Sequence, residues 1–293
     1  MNFFTKGVRL HHRKSKLSLP LALSHPEPVI RLPIFRSAPA LIGVVHLPPL
    51  PGSPGSTGSI TTAQKVLRRE LLSLKKGGAH GVILENFGDA PFHPGPVPPG
   101  TLASMTALAV EARRIFPGPL GINVLRNDGI GALAVAHAAG ADFIRVNVLV
   151  GARVADQGVL QGIADRLLRM RREIGAGKIR ILADVDVKHS APLAPDYTLE
   201  DEARDAWERG GADGLILSGA GTGHGTNPKH LRRAHASAPD APLWVGSGTT
   251  LENLPDFLPE ASGFIVGTAL KRGGRVDSDR VRAFVRAIAK SRR

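Results

Sequence analysis

Short polar clusters in this chain combine the residue types that move protons. Glu85 and Asp89 stand in ENFGDAPF, and Asp184 and Lys188 stand in ADVDVKHS. Carboxylates, a lysine and arginines that crowd one site shift one another's pKa values, as acid–base sites do. The clusters predict proton-transfer chemistry of the isomerase or aldol-cleavage type. Its candidates are His46, Glu85, Asp89, Asn123, Arg126, Arg145, Asn147, Asp184 and Lys188.

A second kind of site is indicated late in the chain, where two glycine-rich turns follow two apolar segments. Small residues leave backbone N–H groups free to converge on one anion. In a (β/α)₈ barrel the loops after strands seven and eight form a phosphate site in this way. The alternative, that the glycines only make tight turns, stays open. The small residues concerned are Gly246, Ser247, Gly248, Gly267 and Thr268.

The charged residues also have a purely structural interpretation. Side chains two apart on a strand share a face, which puts Asp184, Asp186 and Lys188 opposite Val185 and Val187. If that face lines a barrel, its charges must be paired, because an isolated buried charge is too costly to keep. Asp184 would then only form a salt bridge with Lys188 or Arg145 inside the barrel.

A metal site is the weaker alternative. Glu85, Asp89 and Asp184 offer the oxygen ligands that Mg²⁺ prefers, but their spacing matches no diagnostic ligand pattern. No metal is therefore predicted, and no cofactor is assigned.

These residues need a scaffold, and the chain alternates apolar strand-like segments with helical ones. Alternation of this kind indicates a parallel sheet with crossover helices. Eight βα units without a long break favour an α/β fold closed into a (β/α)₈ TIM barrel over an open sheet. The predicted strands are Leu41 to Leu47, Gly81 to Asn86, Gly121 to Leu125, Phe143 to Val148, Ile179 to Val187, Gly214 to Ser218, Leu243 to Val245 and Phe264 to Val266. The predicted helices include Thr62 to Lys76, Ala155 to Ile174, Leu199 to Arg209 and Val276 to Lys290, with another between the last two strands.

Composition excludes several classes of protein. The 293 residues are 42% hydrophobic and 22% charged, which is ordinary for a globular chain long enough for one barrel. No apolar run approaches the roughly 20 residues that span a bilayer. The chain has no cysteine, so disulfides, thiolate metal sites and cysteine nucleophiles are excluded.

The net charge of +13 lies at the two ends of the chain. Met1 to Ala40 has seven Lys or Arg and one acid, and Lys271 to Arg293 has nine against two acids. The body between them is neutral, so no nucleic-acid partner is expected. Residues 1–38 are predicted to be a disordered basic extension, and residues 39–293 to be the barrel. A cytoplasmic location is expected, with an organelle transit peptide and peripheral membrane binding left open.

The chain resembles the BtpA family, which also includes the SgcQ proteins of bacterial sugar operons. The resemblance covers Leu41 to Val285 and leaves the basic extension outside. It implies a TIM barrel of the ribulose-phosphate-binding type and brings no established reaction with it. The motifs that carry it, in chain order, are GVVHLPPLPGSP, ENFGDAPF, NVLRND, RVNV, ADVDVKH, GSGTTLEN and GTALK.

Two functions of different class follow. One is a barrel that binds a phosphorylated small molecule, a sugar phosphate or a nucleotide, and acts on it with the acid–base residues. The other, implied by the resemblance, is a non-catalytic factor for the biogenesis and stability of photosystem I proteins, with a photosynthetic protein or a membrane surface as partner. Barrels of this size often pair, so a homo-oligomer stays open.

Overall fold

This computed structural model describes residues 30–36, 39–219 and 226–290. Eight parallel strands form a closed barrel in which each strand pairs with its neighbours in chain order. The last strand closes onto the first, with Ala40 opposite Gly263. The predicted (β/α)₈ TIM barrel is confirmed. The barrel strands, numbered β1 to β8, are Ala40–His46, Gly81–Glu85, Leu120–Asn123, Phe143–Val146, Arg180–Val185, Gly214–Leu217, Leu243–Val245 and Gly263–Val266.

Helices surround the strands and cover their outer faces. Gly78 and Gly140 end the first and third helices in the left-handed conformation, with φ of +83° and +64°, as helix-ending glycines do. The α-helices of the described residues, numbered α1 to α7, are Thr61–Gly77, Pro99–Ile115, Gly129–Ala139, Ala164–Glu173, Leu199–Arg204, Pro228–Ser237 and Ser278–Lys290. A π-helical turn, Asp205–Arg209, continues α5.

The helix expected between β7 and β8 is reduced to a 3₁₀ turn, Leu254–Asp256. Pro255 and Pro259 stand four residues apart in this connection. Each proline removes a backbone donor and clashes with the preceding helical turn, so an α-helix cannot continue through both.

The predicted helix from Ala155 to Ile174 is wrong in its first half. There the chain forms an antiparallel hairpin of two strands, Ala152–Ala155 and Gly158–Gln161, and α4 begins only at Ala164. Gly158 has φ of +95° at the turn, a conformation that glycine adopts readily. A third short strand, Ser190–Pro192, pairs with the hairpin.

The interior of the barrel has an apolar layer at the amino-terminal ends of the strands. Phe143 and Trp244 lie in it, and Phe35 packs on both with ring centroids 6.2 and 5.1 Å apart. Leu32 and Phe35 are 3% and 2% exposed, so residues 30–36, inside the predicted extension, pack into the barrel core. Residues 1–29 and 37–38 lie outside the described residues, and the division at residue 38 stays a prediction.

Candidate active site at the barrel mouth

A buried ion-pair network lies in the lumen near the carboxyl ends of the strands. Arg145 on β4 donates two hydrogen bonds to Asp184 on β5, from Nε to Oδ1 at 3.0 Å and from Nη2 to Oδ2 at 3.1 Å. Its Nη1 donates to Glu85 Oε1 at 3.3 Å. Asn147 donates to Asp184 Oδ2. All four residues are buried, so each charge is paired as burial requires.

The ends of β1, β2 and β3 place three further polar groups in a row. The strand register sets His46 beside Glu85 and Glu85 beside Asn123. Asn123 Nδ2 donates to Glu85 Oε1 at 3.1 Å, and His46 Nε2 lies 3.6 Å from Glu85 Oε2. Burial raises the pKa of Glu85, but Arg145, His46 and Asn123 outweigh it and leave the pKa below its ordinary value. Glu85 is therefore a carboxylate at neutral pH.

Lys188 follows β5 and reaches the same place. Burial, and then the charge of Arg145, lower the pKa of its amine. A lysine with a lowered pKa can act as a general base or as a nucleophile toward a carbonyl group. Arg126 donates from Nη2 to the Lys188 carbonyl at 2.6 Å, so it holds the backbone of this loop.

Asp186 does not share the lumen face with Asp184. It lies beyond the end of β5 with φ of +52°, and its carboxylate accepts from Arg153 of the hairpin at 2.8 Å. The parity argument fails here because alternation of side chains ends where the strand ends. Arg153 also donates to Ser190 and to buried Glu202, which ties the hairpin to the loop that carries Lys188.

One cavity of about 280 Å³ brings the two predicted kinds of site together. The turns after β7 and β8 form one wall, and His46, Glu85, Arg145 and Lys188 line the other. The small residues Gly246, Ser247, Gly248, Gly267 and Thr268 all line it. Thr249 lines it as well, is 2% exposed, and its Oγ1 has no hydrogen-bond partner among the described residues.

Other predicted residues support this cavity or lie away from it. Asn123, Arg126 and Asp184 do not line it but contact residues that do, and Asn147 contacts Asp184. Asp89 lies elsewhere: Oδ1 accepts from the Leu50 N–H at 2.8 Å and Oδ2 from Asn86 Nδ2 at 3.0 Å. It joins the loop after β1 to the loop after β2.

Sequence reasoning missed Lys271. Its Nζ lies 3.0 Å from His46 Nδ1. Lys271 is the last residue of the GTALK motif, four residues after the small residue Gly267. The rule that places functional residues just after barrel strands would have included it.

A larger cavity, about 750 Å³, lies on the outer wall between α4 and the π-helical turn. It is bordered by exposed Arg169, Arg172 and Arg209 and by none of the predicted site residues. Among the described residues, no group of three or more His, Asp or Glu is arranged to hold a metal ion.

The family is shown by comparison with known sequences. A model described as the BtpA family matches residues 37–290. The chain belongs to the BtpA family. It is 44% identical over 260 residues to the photosystem I biogenesis protein BtpA of Synechocystis, covering 87% of this chain and 90% of the relative. It is also 44% identical over 239 residues to an uncharacterized protein of Thermococcus kodakarensis, covering 82% of this chain and 89% of that relative.

Solved structures share the fold of this BtpA-family chain. Thiamine phosphate pyrophosphorylase from Pyrococcus furiosus matches with a TM-score of 0.55 and 16% identity, over 86% of this chain and 96% of that one. KGPDC from Streptococcus mutans matches with a TM-score of 0.53 and 15% identity, over 87% and 99%. At such identities the likeness shows the barrel fold alone. Within the described residues no helix has the length and apolar character needed to cross a bilayer.

Proposed function

We propose that this barrel binds a small phosphorylated molecule, a sugar phosphate or a nucleotide, and acts on it as an isomerase or lyase. The observation that carries the proposal is the single cavity in which the glycine-rich turns face Glu85 and Lys188. Gly248 and Gly267 supply backbone N–H groups to the phosphate, because no side chain of theirs stands in the way. The Gly246 N–H already donates to the Leu217 carbonyl at 2.7 Å, so Gly246 only leaves room for the ligand.

The opposite wall supplies the chemistry. Glu85 is the ionised carboxylate and Lys188 the amine with a lowered pKa, so the two form a base and an acid of differing strength. Arg145 faces both with a buried positive charge that stabilises an oxyanion as it forms. A proton can then leave one carbon or oxygen of the ligand and return at another.

Thermal unfolding with a panel of sugar phosphates and nucleotides tests binding. A ligand present at 100 times its dissociation constant adds about 2.7 kcal/mol by mass action, which raises the melting temperature of a domain this size by roughly 5–10 °C. Ser247→Asp places a negative charge in the phosphate cradle, formed by the turns after β7 and β8, and should abolish the shift in melting temperature. Ser247→Asn, of the same size but neutral, is the matched control and should retain it.

The binding proposal is overturned if no compound of the panel stabilises the wild-type protein, or if Ser247→Asp and the control behave alike. The catalytic part has its own test. Lys188→Met should keep the thermal shift and lose turnover of the ligand so identified, whereas unchanged turnover would remove Lys188 from the mechanism.

The second candidate function is a biogenesis factor for photosystem I proteins. It is favoured by the name of the Synechocystis relative. The relative from Thermococcus kodakarensis has the same identity and no stated role, so similarity does not select this function. The basic carboxyl-terminal segment from Lys271 onward would favour an anionic membrane surface. Co-sedimentation with anionic vesicles at low salt, lost at high salt, is the expected result, and no retention at low salt would contradict it.

A further inference from the structure

Lys271 lies against His46 and stands on a hydrogen-bonded hairpin. It begins a two-residue strand, Lys271–Arg272, which pairs with Arg275–Val276 to make a tight hairpin after β8 and the 3₁₀ turn Thr268–Leu270. The Asp277 N–H donates to the Leu270 carbonyl at 2.9 Å and closes the hairpin at its base. Lys271 Nζ lies 3.0 Å from His46 Nδ1. These backbone hydrogen bonds position Lys271 beside His46.

The imidazole ring is confined on its other sides. Its Nε2 lies 3.6 Å from Glu85 Oε2, on the side that faces the cavity. A methyl group added to Gly267 would lie 2.8 Å from His46 Cε1, so the backbone of the cradle touches the ring edge. The ring of Phe87 packs on its face at 4.6 Å between centroids. The ring has one orientation, with one nitrogen toward Lys271 and the other toward Glu85.

The partner of Nδ1 determines which nitrogen of the neutral His46 ring carries the proton. An ammonium group has three donors and no acceptor, so Nδ1 beside Lys271 must accept. Glu85 Oε2 lies 3.6 Å from Nε2, beyond hydrogen-bond distance, so the carboxylate does not by itself require a proton there. A neutral ring can accept at Nδ1 only when its proton is on Nε2. The hydrogen bond at one nitrogen thus sets the tautomer at the other.

We infer that Lys271 is a positioning residue that fixes His46 as the Nε2–H tautomer and replaces the proton when His46 gives it to the bound ligand. The Nε2–H bond breaks and an O–H bond forms on the ligand. A proton passes from Lys271 Nζ to His46 Nδ1, so the ring stays neutral. The starting state returns when Nε2 takes a proton from water and Nδ1 gives its proton back to Lys271 Nζ. The tautomer follows from the contact of Nδ1 with the Lys271 ammonium group, while the relay rests on the proposed function.

The surrounding charges are consistent with a neutral ring. Burial lowers the pKa of His46, Glu85 opposes this, and Lys271, Lys188 and Arg145 lower it further. Burial also lowers the pKa of Lys271, which eases release of its proton, while Glu70 and Glu85 raise it and Arg69 lowers it. Removal of the Lys271 charge should therefore raise the pKa of His46.

The tautomer can be measured by NMR on protein labelled with ¹⁵N-histidine. His46 is one of 11 histidines, and a His46→Gln spectrum identifies its signals. In the wild type at pH 8, Nε2 of His46 should be protonated and Nδ1 unprotonated. Lys271→Met should give a mixture of both tautomers and a higher His46 pKa. Lys271→Arg, which keeps a cationic donor, should restore the wild-type pattern, and Arg275→Met on the same hairpin should not change it.

A wild-type Nδ1–H tautomer, or a Lys271→Met spectrum identical to wild type, would overturn the inference. Both readouts use the ligand-free protein, so they stand if no phosphorylated compound binds and the proposed function fails. Where a substrate is found, Lys271→Met should lower kcat at least 10-fold with KM within twofold, and Lys271→Arg should recover most of kcat. Unchanged kcat would remove the relay and leave the tautomer assignment intact.

Discussion

The two walls of the cavity are built on opposite principles. The wall from β1 to β5 presents charged side chains, and Arg145, Glu85 and Asp184 are each buried and paired. The wall from β7 and β8 presents backbone and small residues. A buried charge is stable only beside an opposite charge, whereas a backbone amide has a fixed dipole and needs no charged partner. Breaking a charge pair of the first wall should therefore act mainly on stability, and changes to the second wall mainly on binding.

The largest effect is expected where a pair in the first wall loses one member. Asp184→Ala removes the bidentate partner of Arg145, which is 5% exposed and would keep an under-compensated charge. The free energy of unfolding should fall by about 3–5 kcal/mol. Urea denaturation measures it. Asp279→Ala, which breaks an exposed pair with Arg282, is the control and should cost less than about 1 kcal/mol. Equal costs would contradict the division between the walls.

An intermediate effect is expected where the two walls touch. Gly267 has φ of −111° and ψ of −83°, outside the regions that alanine prefers, and the added methyl would lie 2.8 Å from His46 Cε1. Gly267→Ala should cost about 1–3 kcal/mol by overpacking, and the cost should shrink in a His46→Ala background. Gly100→Ala, in α2 with open space around the added methyl, should not destabilise. An unchanged cost in the double variant would show that the walls are independent.

The smallest effect concerns pH. Burial keeps the pKa of His46 below 6.5 in the folded state, so below that value the unfolded chain binds a proton that the folded chain does not. The contribution of neutral His46 to stability is present above pH 6.5 and is lost as the pH falls from there toward the pKa of His46 in the folded state. Stability of the wild type should thus fall between pH 7 and 5, and less steeply for His46→Gln. The free energy of unfolding is measured by urea denaturation at each pH. The same pH dependence in the wild type and in His46→Gln would show that His46 is not buried as a neutral ring.

The glycine-rich wall was predictable from sequence. Two apolar segments, each followed by small residues, occur one crossover apart, and in a closed parallel barrel the carboxyl ends of consecutive strands must be neighbours. The pairing of Arg145 with Asp184 could also be predicted, because consecutive strands are neighbours in the barrel. Their strands are adjacent in the barrel, and both side chains oppose an apolar face.

The errors arose where local pattern competes with turn chemistry. Val159 and Leu160 fit a helix as well as a strand, but Gly158 with its positive φ makes the turn of a hairpin here. Asp186 followed strand parity in the sequence, but β5 ends at Val185, and the side chain turns to Arg153. Neither Arg153 nor the hairpin could be placed over the loop of Lys188 without the fold, because the contact joins segments more than 30 residues apart.

The sequence alone determined the barrel, its eight strands and the end at which polar residues gather, because periodicity and turn residues act over a few neighbours. Only the tertiary structure decided which of those residues share a cavity. Asp89, adjacent in sequence to the site, faces the loop after β1. Lys271, 225 residues from His46, lies within hydrogen-bond distance of its ring. Closure of the barrel brings the last strand beside the first, and no local pattern contains that contact.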